Sequence, residues 1–263
     1  MEILVCVKRV PDTAENEIQI ARDGTDIERD DLVYSVNEPD NYAVEAALQL
    51  AARTGGKVTV VTVGGEEDEE VLRREMAMGA ARGVLLSDGA FEGSDGRGVA
   101  AILKAFAESG HYDLILTGVQ ADDGCAQVGG MLAAMLDYPF ASLVTSMEEQ
   151  DDRTLKIGRE VEGGAREIHA IDLPCVLSIQ TGINEPRYVG MRGIRQVASV
   201  PIPVLGAADL AVPAGVAGEA AAKVRRVDYF VPPAGKGAEM LAGSREEIVD
   251  QLVDLLKAKG GLH

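Results

Sequence analysis

Tyr112-Asp113-Leu114-Ile115-Leu116-Thr117-Gly118, followed by Val119-Gln120-Ala121-Asp122-Asp123-Gly124-Cys125-Ala126-Gln127-Val128-Gly129-Gly130, is the stretch on which the fold turns. Its first half is a short, nearly continuous apolar run, the pattern of a strand covered on both faces. Its second half is rich in Gly and Asp and opens a helix expected from about Ala126 to Leu136. Strand, loop and helix in that order are part of a βαβ unit, and the same cycle recurs upstream. Glu2 to Val7 reads as a strand, and a weak alternation at Glu17-Ile18-Gln19-Ile20 suits a short hairpin strand. A helix enters at Asn37-Glu38-Pro39-Asp40, where Pro in the first turn sacrifices no hydrogen bond, and stops at Gly55-Gly56. Lys57 to Val63 is a β-branched strand, followed by a helix whose acidic opening, Glu66 to Glu70, suits the positive end of its dipole. Gly83 to Leu86 and a helix from about Arg97 to Glu108 complete the series. This alternation predicts an α/β fold with a doubly wound parallel sheet, Rossmann-like, built from right-handed crossovers.

After Pro139 the pattern changes. Residues 140–148, 154–161, 165–172 and 175–181 read as strands without intervening helices, with Gly163-Gly164 at a hairpin turn. They are expected to form an antiparallel extension of the parallel sheet. From residue 201 the chain becomes rich in Pro, Ala and Gly, and only Ser244 to Lys259 returns to a capped helical pattern. The expected organisation is one α/β domain over 1–200, including a loop at 181–195, and an extended C-terminal arm over 201–263. An arm of this kind cannot bury a core of its own, so a partner is expected to receive it.

Composition narrows the function. Against 43 acidic residues stand 25 Lys and Arg, for a net charge of −18. Such a surface repels phosphate backbones and anionic headgroups, which argues against nucleic acid or a membrane surface as partner. No apolar run approaches the length of a membrane span, and no secretion signal is visible at the N-terminus. Cys6, Cys125 and Cys175 are odd in number and far apart, which fits a reduced, cytoplasmic setting better than a disulfide framework or a zinc site. The absence of Trp and the abundance of Gly and small aliphatic residues suit close helix-on-sheet packing.

Three candidate sites emerge. The loop Asp122, Asp123, Gly124, Cys125, Ala126, Gln127, Val128, Gly129 lies at the carboxyl end of a parallel strand and opens a helix. Free N–H groups and the helix dipole favour a phosphate there, although the loop is neither a Walker loop nor a GxGxxG fingerprint. Its plain alternative is a tight turn capped by Asp122 or Asp123. Cys6, Asn37 and Val63 stand at other strand ends and face the same crevice if the sheet order switches between the first and fourth strands. The third is the segment from Thr181 to Gly193. It carries Tyr188, Met191 and two arginines, residue types common at protein interfaces, with Gly190 and Gly193 expected to leave it mobile and Arg187 and Tyr188 to tie its base. No histidine has a nucleophile or a metal-ligand spacing beside it, so no catalytic residue and no metal site is expected.

Several runs together resemble the β subunit of electron-transfer flavoprotein. They are Cys6-Val7-Lys8-Arg9-Val10, Ser35-Val36-Asn37, Ala77-Met78-Gly79-Ala80, Gln120 to Gly129, Arg159-Glu160-Val161-Glu162-Gly163-Gly164 and Asn184-Glu185-Pro186-Arg187-Tyr188. The resemblance implies a heterodimer whose α subunit holds most of an FAD, while the β subunit contributes a buried AMP and a docking loop for dehydrogenases. It implies that Cys6, Asn37, Val63 and residues 122–129 line the nucleotide crevice. Glu160 would pair with a basic residue of the α subunit. Asn184, Glu185, Pro186, Arg187, Tyr188 and Met191 would belong to the partner-facing segment, with Met191 at the place of an apolar anchor. The implied function is a carrier rather than an enzyme, taking electrons from acyl-CoA dehydrogenases of fatty acid oxidation to a quinone oxidoreductase through the FAD.

The chain departs from the family pattern in lacking an aromatic near Thr13 and near Pro39. Its nucleotide loop is also one residue shorter than in the common AMP-binding form. A branch of the family holds a second FAD instead of AMP and bifurcates electrons. This chain shares some of that branch's runs but has Asp95-Gly96-Arg97-Gly98-Val99 where the branch has an Asp-Thr-x-Ala-Thr segment, so AMP is the favoured ligand. The remaining alternative is a non-redox regulatory module that binds an adenine nucleotide.

Overall fold

The computed structural model describes residues 1–121, 124–235 and 237–261. The chain divides into two compact units, one made of Met1–Gln19 and Glu28–Val227, the other of Ile20–Ile27 and the residues from Asp228 onward.

The first unit is built on a nine-stranded sheet. Its strands are β1 (Glu2–Cys6), β4 (Lys57–Val63), β5 (Arg82–Leu86), β6 (Leu114–Gly118), β7 (Phe140–Asp151), β8 (Thr154–Val161), β9 (Ala165–Asp172), β10 (Cys175–Ile179) and β11 (Val204–Leu205). A separate two-stranded ribbon pairs β2 (Arg9–Pro11) with β3 (Tyr34–Val36). The order across the large sheet is β11-β5-β4-β1-β6-β10-β7-β8-β9. Every pair from β11 to β7 is parallel, and β7-β8-β9 is antiparallel. The doubly wound sheet with an antiparallel extension is therefore present. One strand stands elsewhere than expected. Residues 175–179 insert between β6 and β7, parallel to both, rather than joining the extension. β7 makes the junction, pairing with β10 through its first residues and with β8 through the rest.

Alternation along the strands sorts the core into two layers. Ile3 and Val5 face one side of the sheet and Leu4 the other, as Leu114 and Leu116 oppose Ile115. The first side is covered by α1 (Glu38–Thr54) and α2 (Glu69–Met78), the second by α3 (Gly96–Gly110) and α4 (Val128–Leu136). α1 presents Ala43, Val44, Ala46, Ala47, Leu48, Leu50 and Ala51, whose small side chains let its axis approach the strands. Gly55, in the left-handed region at φ +68°, ends it as the sequence anticipated. A short helix, α5 (Met191–Val197), packs on α2.

The two ends of the sheet differ. β11 contributes two residues; β9 contributes eight, of which the first six are exposed. β11, Leu210 and Ala221 show that residues after 200 supply an edge strand and buried side chains to this unit.

Among its described residues the second unit holds a bridge between Ile20 and Ile27, a bond from Tyr229 N to Gly24 O at 2.7 Å, and α6 (Arg245–Ala258). Ser244 and Glu247 form a reciprocal capping box at the start of α6. None of its residues is buried, and Val249, Leu252, Leu255 and Leu256 are 41–50% exposed. No helix among the described residues is long and apolar enough to cross a membrane.

Candidate functional site

β1 and β6 are neighbours, and the chain leaves them towards opposite faces of the sheet: β1 leads to α1 and β6 to α4. This is the switch point at which open α/β sheets hold ligands. Of the sequence candidates, Asn37 stands at the cap position of α1 and Cys6 at the end of β1. Val63 ends β4, two residues beyond the Cys6–Val61 pair. Cys6 and Val63 end strands at the carboxyl edge of the sheet, whereas Asn37 ends none of its strands and reaches that edge as the cap of α1, through its N–H bond to Lys8 O at 2.8 Å.

The loop expected to meet a phosphate continues from β6. Gly124 N closes a turn onto Ala121 O at 2.9 Å, and Ala126 adopts φ +54°. Gly124, Cys125, Ala126 and Gln127 are exposed, Val128 is half-buried and Gly129 is buried. α4 begins at Val128, two residues later than expected, because the left-handed Ala126 cannot belong to its first turn. Gln127, at the cap position, makes no capping bond, and among the described residues no side chain caps this helix start. Asp122 and Asp123, the other two loop candidates, lie outside the described residues. Gly129 is dictated by contact, since a Cβ there would stand 2.4 Å from Ser178 Oγ and 2.8 Å from Thr117 Oγ1. Those two hydroxyls share a buried hydrogen bond of 2.8 Å, which joins β6 to β10 beneath α4. The donor set fits a phosphate: backbone N–H groups at the start of a nine-residue helix, approached over residues with little or no side chain.

Behind the loop stands a residue the sequence reading missed. Asp40, 5% exposed, accepts Lys8 N on Oδ2 at 2.8 Å and Gly118 N on Oδ1 at 2.9 Å. Burial raises its carboxyl to about 7, opposed by hydrogen bonds from Asn37, Lys8 and Gly118 and by the charge of Lys8. The Asn37 side chain donates to Gln120 O at 2.9 Å, so it braces the root of this loop. Burial and the Asp40 carboxylate push the Cys6 thiol well above its ordinary range, so it is a packed, neutral group. A second buried acid, Glu75 of α2, is fully buried with neither oxygen hydrogen-bonded, and burial lifts it to about 8.

The partner-facing candidates fall in two places. Glu160 lies exposed on β8, opposite Arg166 of β9. The segment 184–191 crosses α1 and reaches α2. Asn184 donates to Tyr42 O at 3.0 Å. Arg187 grips Glu45 through Nε at 2.7 Å and Nη2 at 3.0 Å, and its Nη1 reaches Met78 O at 3.4 Å. Burial works to raise the Glu45 carboxyl, but the bonds from Arg187 and Gln49 outweigh it and hold the group below its ordinary value. Glu185 is exposed and Pro186 half-buried.

Two expectations for this segment change. Arg187 ties it down, but Tyr188 does not, projecting outward with 92% of its surface exposed. Met191, 64% exposed, opens α5 instead of sitting in a mobile loop. Gly193 explains the helix: its bare α-carbon lets α5 lie on α2, where a Cβ would stand 3.2 Å from Ala77 O.

Comparison with known proteins agrees with this geometry. The model of the electron transfer flavoprotein domain matches residues 25–210. Electron transfer flavoprotein subunit beta of Methylophilus methylotrophus is 35% identical over 260 residues, covering 97% of this chain and 98% of the relative. The protein of the same name from Bacillus subtilis is 33% identical, covering 98% of each. The caffeyl-CoA reductase-Etf complex subunit CarD of Acetobacterium woodii is 37% identical over 264 residues, covering 98% of this chain and 99% of the relative. With a nucleotide-type switch point and similarity running along nearly its whole length, the chain belongs to the electron transfer flavoprotein β-subunit family.

Proposed function

We propose that the chain is the β half of a heterodimer in which an α subunit holds most of an FAD. The pair takes electrons from acyl-CoA-type dehydrogenases and delivers them to a quinone oxidoreductase or another acceptor. FAD, when bound, supplies the redox chemistry, and this chain's residues bind, orient and dock. In this reading the chain alone turns nothing over. The N–H groups around Gly124 to Gln127 hold a phosphate, apart from that of Gly124 itself, which closes the turn onto Ala121 O, with Cys6, Asn37 and Val63 at the crevice walls. Glu160 meets a basic residue of the α subunit, the part of the C-terminal arm beyond Val227 lies on that subunit, and Tyr188 and Met191 meet the dehydrogenase.

The observation that carries the choice of AMP is the contrast between two helix starts. At α3, Asp95 accepts Gly98 N at 2.9 Å, Lys223 N at 2.6 Å and Val224 N at 3.2 Å. Ala217 covers the same turn, where a Cβ on Gly98 would come within 3.4 Å of its Cα. α3 is therefore closed to an anion, and of these two helix starts α4 is the one left for a phosphate. The names of two relatives, the CarD subunit and the acryloyl-CoA reductase electron transfer subunit gamma of Anaerotignum propionicum, favour a second reading. In it a second FAD replaces AMP and electrons bifurcate.

Mass analysis of nucleotides released from the denatured heterodimer separates the two. One FAD and one AMP are expected, together with electron transfer from a reduced acyl-CoA dehydrogenase on mixing with the α subunit. Two FAD and no AMP would establish the bifurcating form. An adenine nucleotide without any flavoprotein partner would return the chain to a regulatory role.

A further inference from the structure

We propose that Asp40 is the positioning residue of the nucleotide crevice, its carboxylate bolting the diverging ends of β1 and β6 and thereby setting how the chain from Gly118 to Gln120 enters the loop. The proposal rests on the crevice being the nucleotide site.

The need for such a bolt follows from the topology. Within a parallel sheet each strand's N–H groups find a carbonyl on a neighbour. Where β1 and β6 turn to opposite faces that ladder stops, and the first N–H groups beyond the split, at Lys8 and Gly118, lose their strand partners. Both are met by one side chain, with one oxygen for each. A carboxylate is the fitting group because it is acceptor-only and has two oxygens to offer.

The approach is built on both sides. A Cβ on Gly118 would stand 2.3 Å from Asp40 Oδ1 and 2.8 Å from Pro39 Cβ, so the strand end and the first turn of α1 meet through the missing side chain. Asn37 completes the junction. Its N–H bonds to Lys8 O at 2.8 Å, and its side chain bonds to Gln120 O at 2.9 Å. Four hydrogen bonds thus run from residues 37 and 40 to the two strand ends, two of them to the chain that becomes the loop. Asp40 acts on a ligand through Gly118 and the loop, and its role is to fix where the loop N–H groups stand.

The test uses the heterodimer with its α subunit and radiolabelled AMP. Asp40→Asn keeps the shape but sets an NH2 group against one of the two N–H donors. It should release AMP at least tenfold faster than the parent, with faster hydrogen exchange at the Lys8 and Gly118 amides. A purely structural role would lower the melting temperature and leave AMP release unchanged. AMP release within twofold of the parent therefore overturns the proposal and leaves the crevice reading standing. If Asp40→Asn does not assemble, Asp40→Ser, whose hydroxyl cannot serve both strand ends, is held to the same criterion. In the parent, Lys8 and Gly118 must be slow-exchanging amides, and fast exchange at both overturns the bolt without any variant. A parent heterodimer that yields one FAD and no second adenine nucleotide overturns both the crevice reading and the bolt, and if a second FAD takes the place of AMP its release is held to the same tenfold and twofold limits.

Discussion

At the crevice, polar groups are buried and matched: Asp40 with two strand-end amides, Asn37 with Gln120, Thr117 with Ser178. Along α6 the opposite holds, with Val249, Leu252, Leu255 and Leu256 facing solvent at helical spacing. A buried polar group without a partner costs about 1–3 kcal/mol, so the crevice has to be completed within the chain. An exposed apolar stripe meets no such requirement, but it gains stability only when another surface covers it. The first region reads as a site finished by folding, and the second as one finished by assembly.

The sharpest way to break this contrast is on α6. Covering the exposed half of one leucine contributes about 0.7–1.5 kcal/mol, so replacing two removes about 1.5–3 kcal/mol, to which burying two new charges adds its own cost. Leu252→Asp with Leu255→Asp is expected to weaken heterodimer assembly more than a hundredfold by titration calorimetry. The melting transition of the sheet unit should stay where it is, because no α6 residue is buried. Assembly at parental affinity would show that the stripe is not part of the subunit interface.

Glu75 shows that the matching seen at the crevice does not extend through the whole unit, because it is fully buried with both oxygens unpaired. Its carboxyl titrates near 4.5 when unfolded and about 8 when folded. The unfolded chain therefore loses the proton first, and stability falls as pH rises from about 4.5 to about 8, levelling above that. Asp40, raised to about 7, adds a slope of the same sign. Glu75→Gln cannot ionise. It should be more stable than the parent by about 4–5 kcal/mol at pH 8.5, with little difference at pH 4, in denaturant titrations at both pH values. Parallel pH profiles for parent and variant would show that Glu75 is solvated or paired in solution.

The smallest expected effect lies at Met191, an exposed apolar side chain held on a clamped segment. Met191→Ala should slow electron transfer from partner dehydrogenases about tenfold in stopped-flow kinetics, equivalent to about 1.4 kcal/mol. Flavin content and thermal stability should not change. A variant that unfolds more easily while keeping parental kinetics would assign Met191 to packing between α5 and α2.

These regions were unequally legible in the sequence. The strand at 57–63 and the helix at 38–54 announce themselves through period, β-branching and the Gly55-Gly56 stop. β10 was found but misplaced, because a fully buried run looks the same in a parallel and an antiparallel position. Gly193 was read as a source of mobility, whereas the fold uses it for the close approach of α5 to Ala77. Asp40 left almost no signal, since an acid in the first turn of a helix has a generic reading as a partner of the dipole. That its carboxylate spans two strands depends on a strand order which local spacing does not encode. Cys6 and Asn37 were placed at the crevice from strand order, but the sequence did not show that the Asn37 amide is already engaged by Gln120.

The unequal ends of the sheet also bear on how the chain behaves when it is made in excess. A free strand edge is a template on which another molecule can continue the sheet, and proteins avoid this by keeping edges short or charged. β11 takes the first course with two residues. β9 offers eight and takes the second, with Arg166, Glu167 and His169 among its exposed residues and His169 3.0 Å from Glu167. Intermolecular sheet growth, the first step of aggregation, is therefore open at one end only, and those charges stand where a second copy would have to pair.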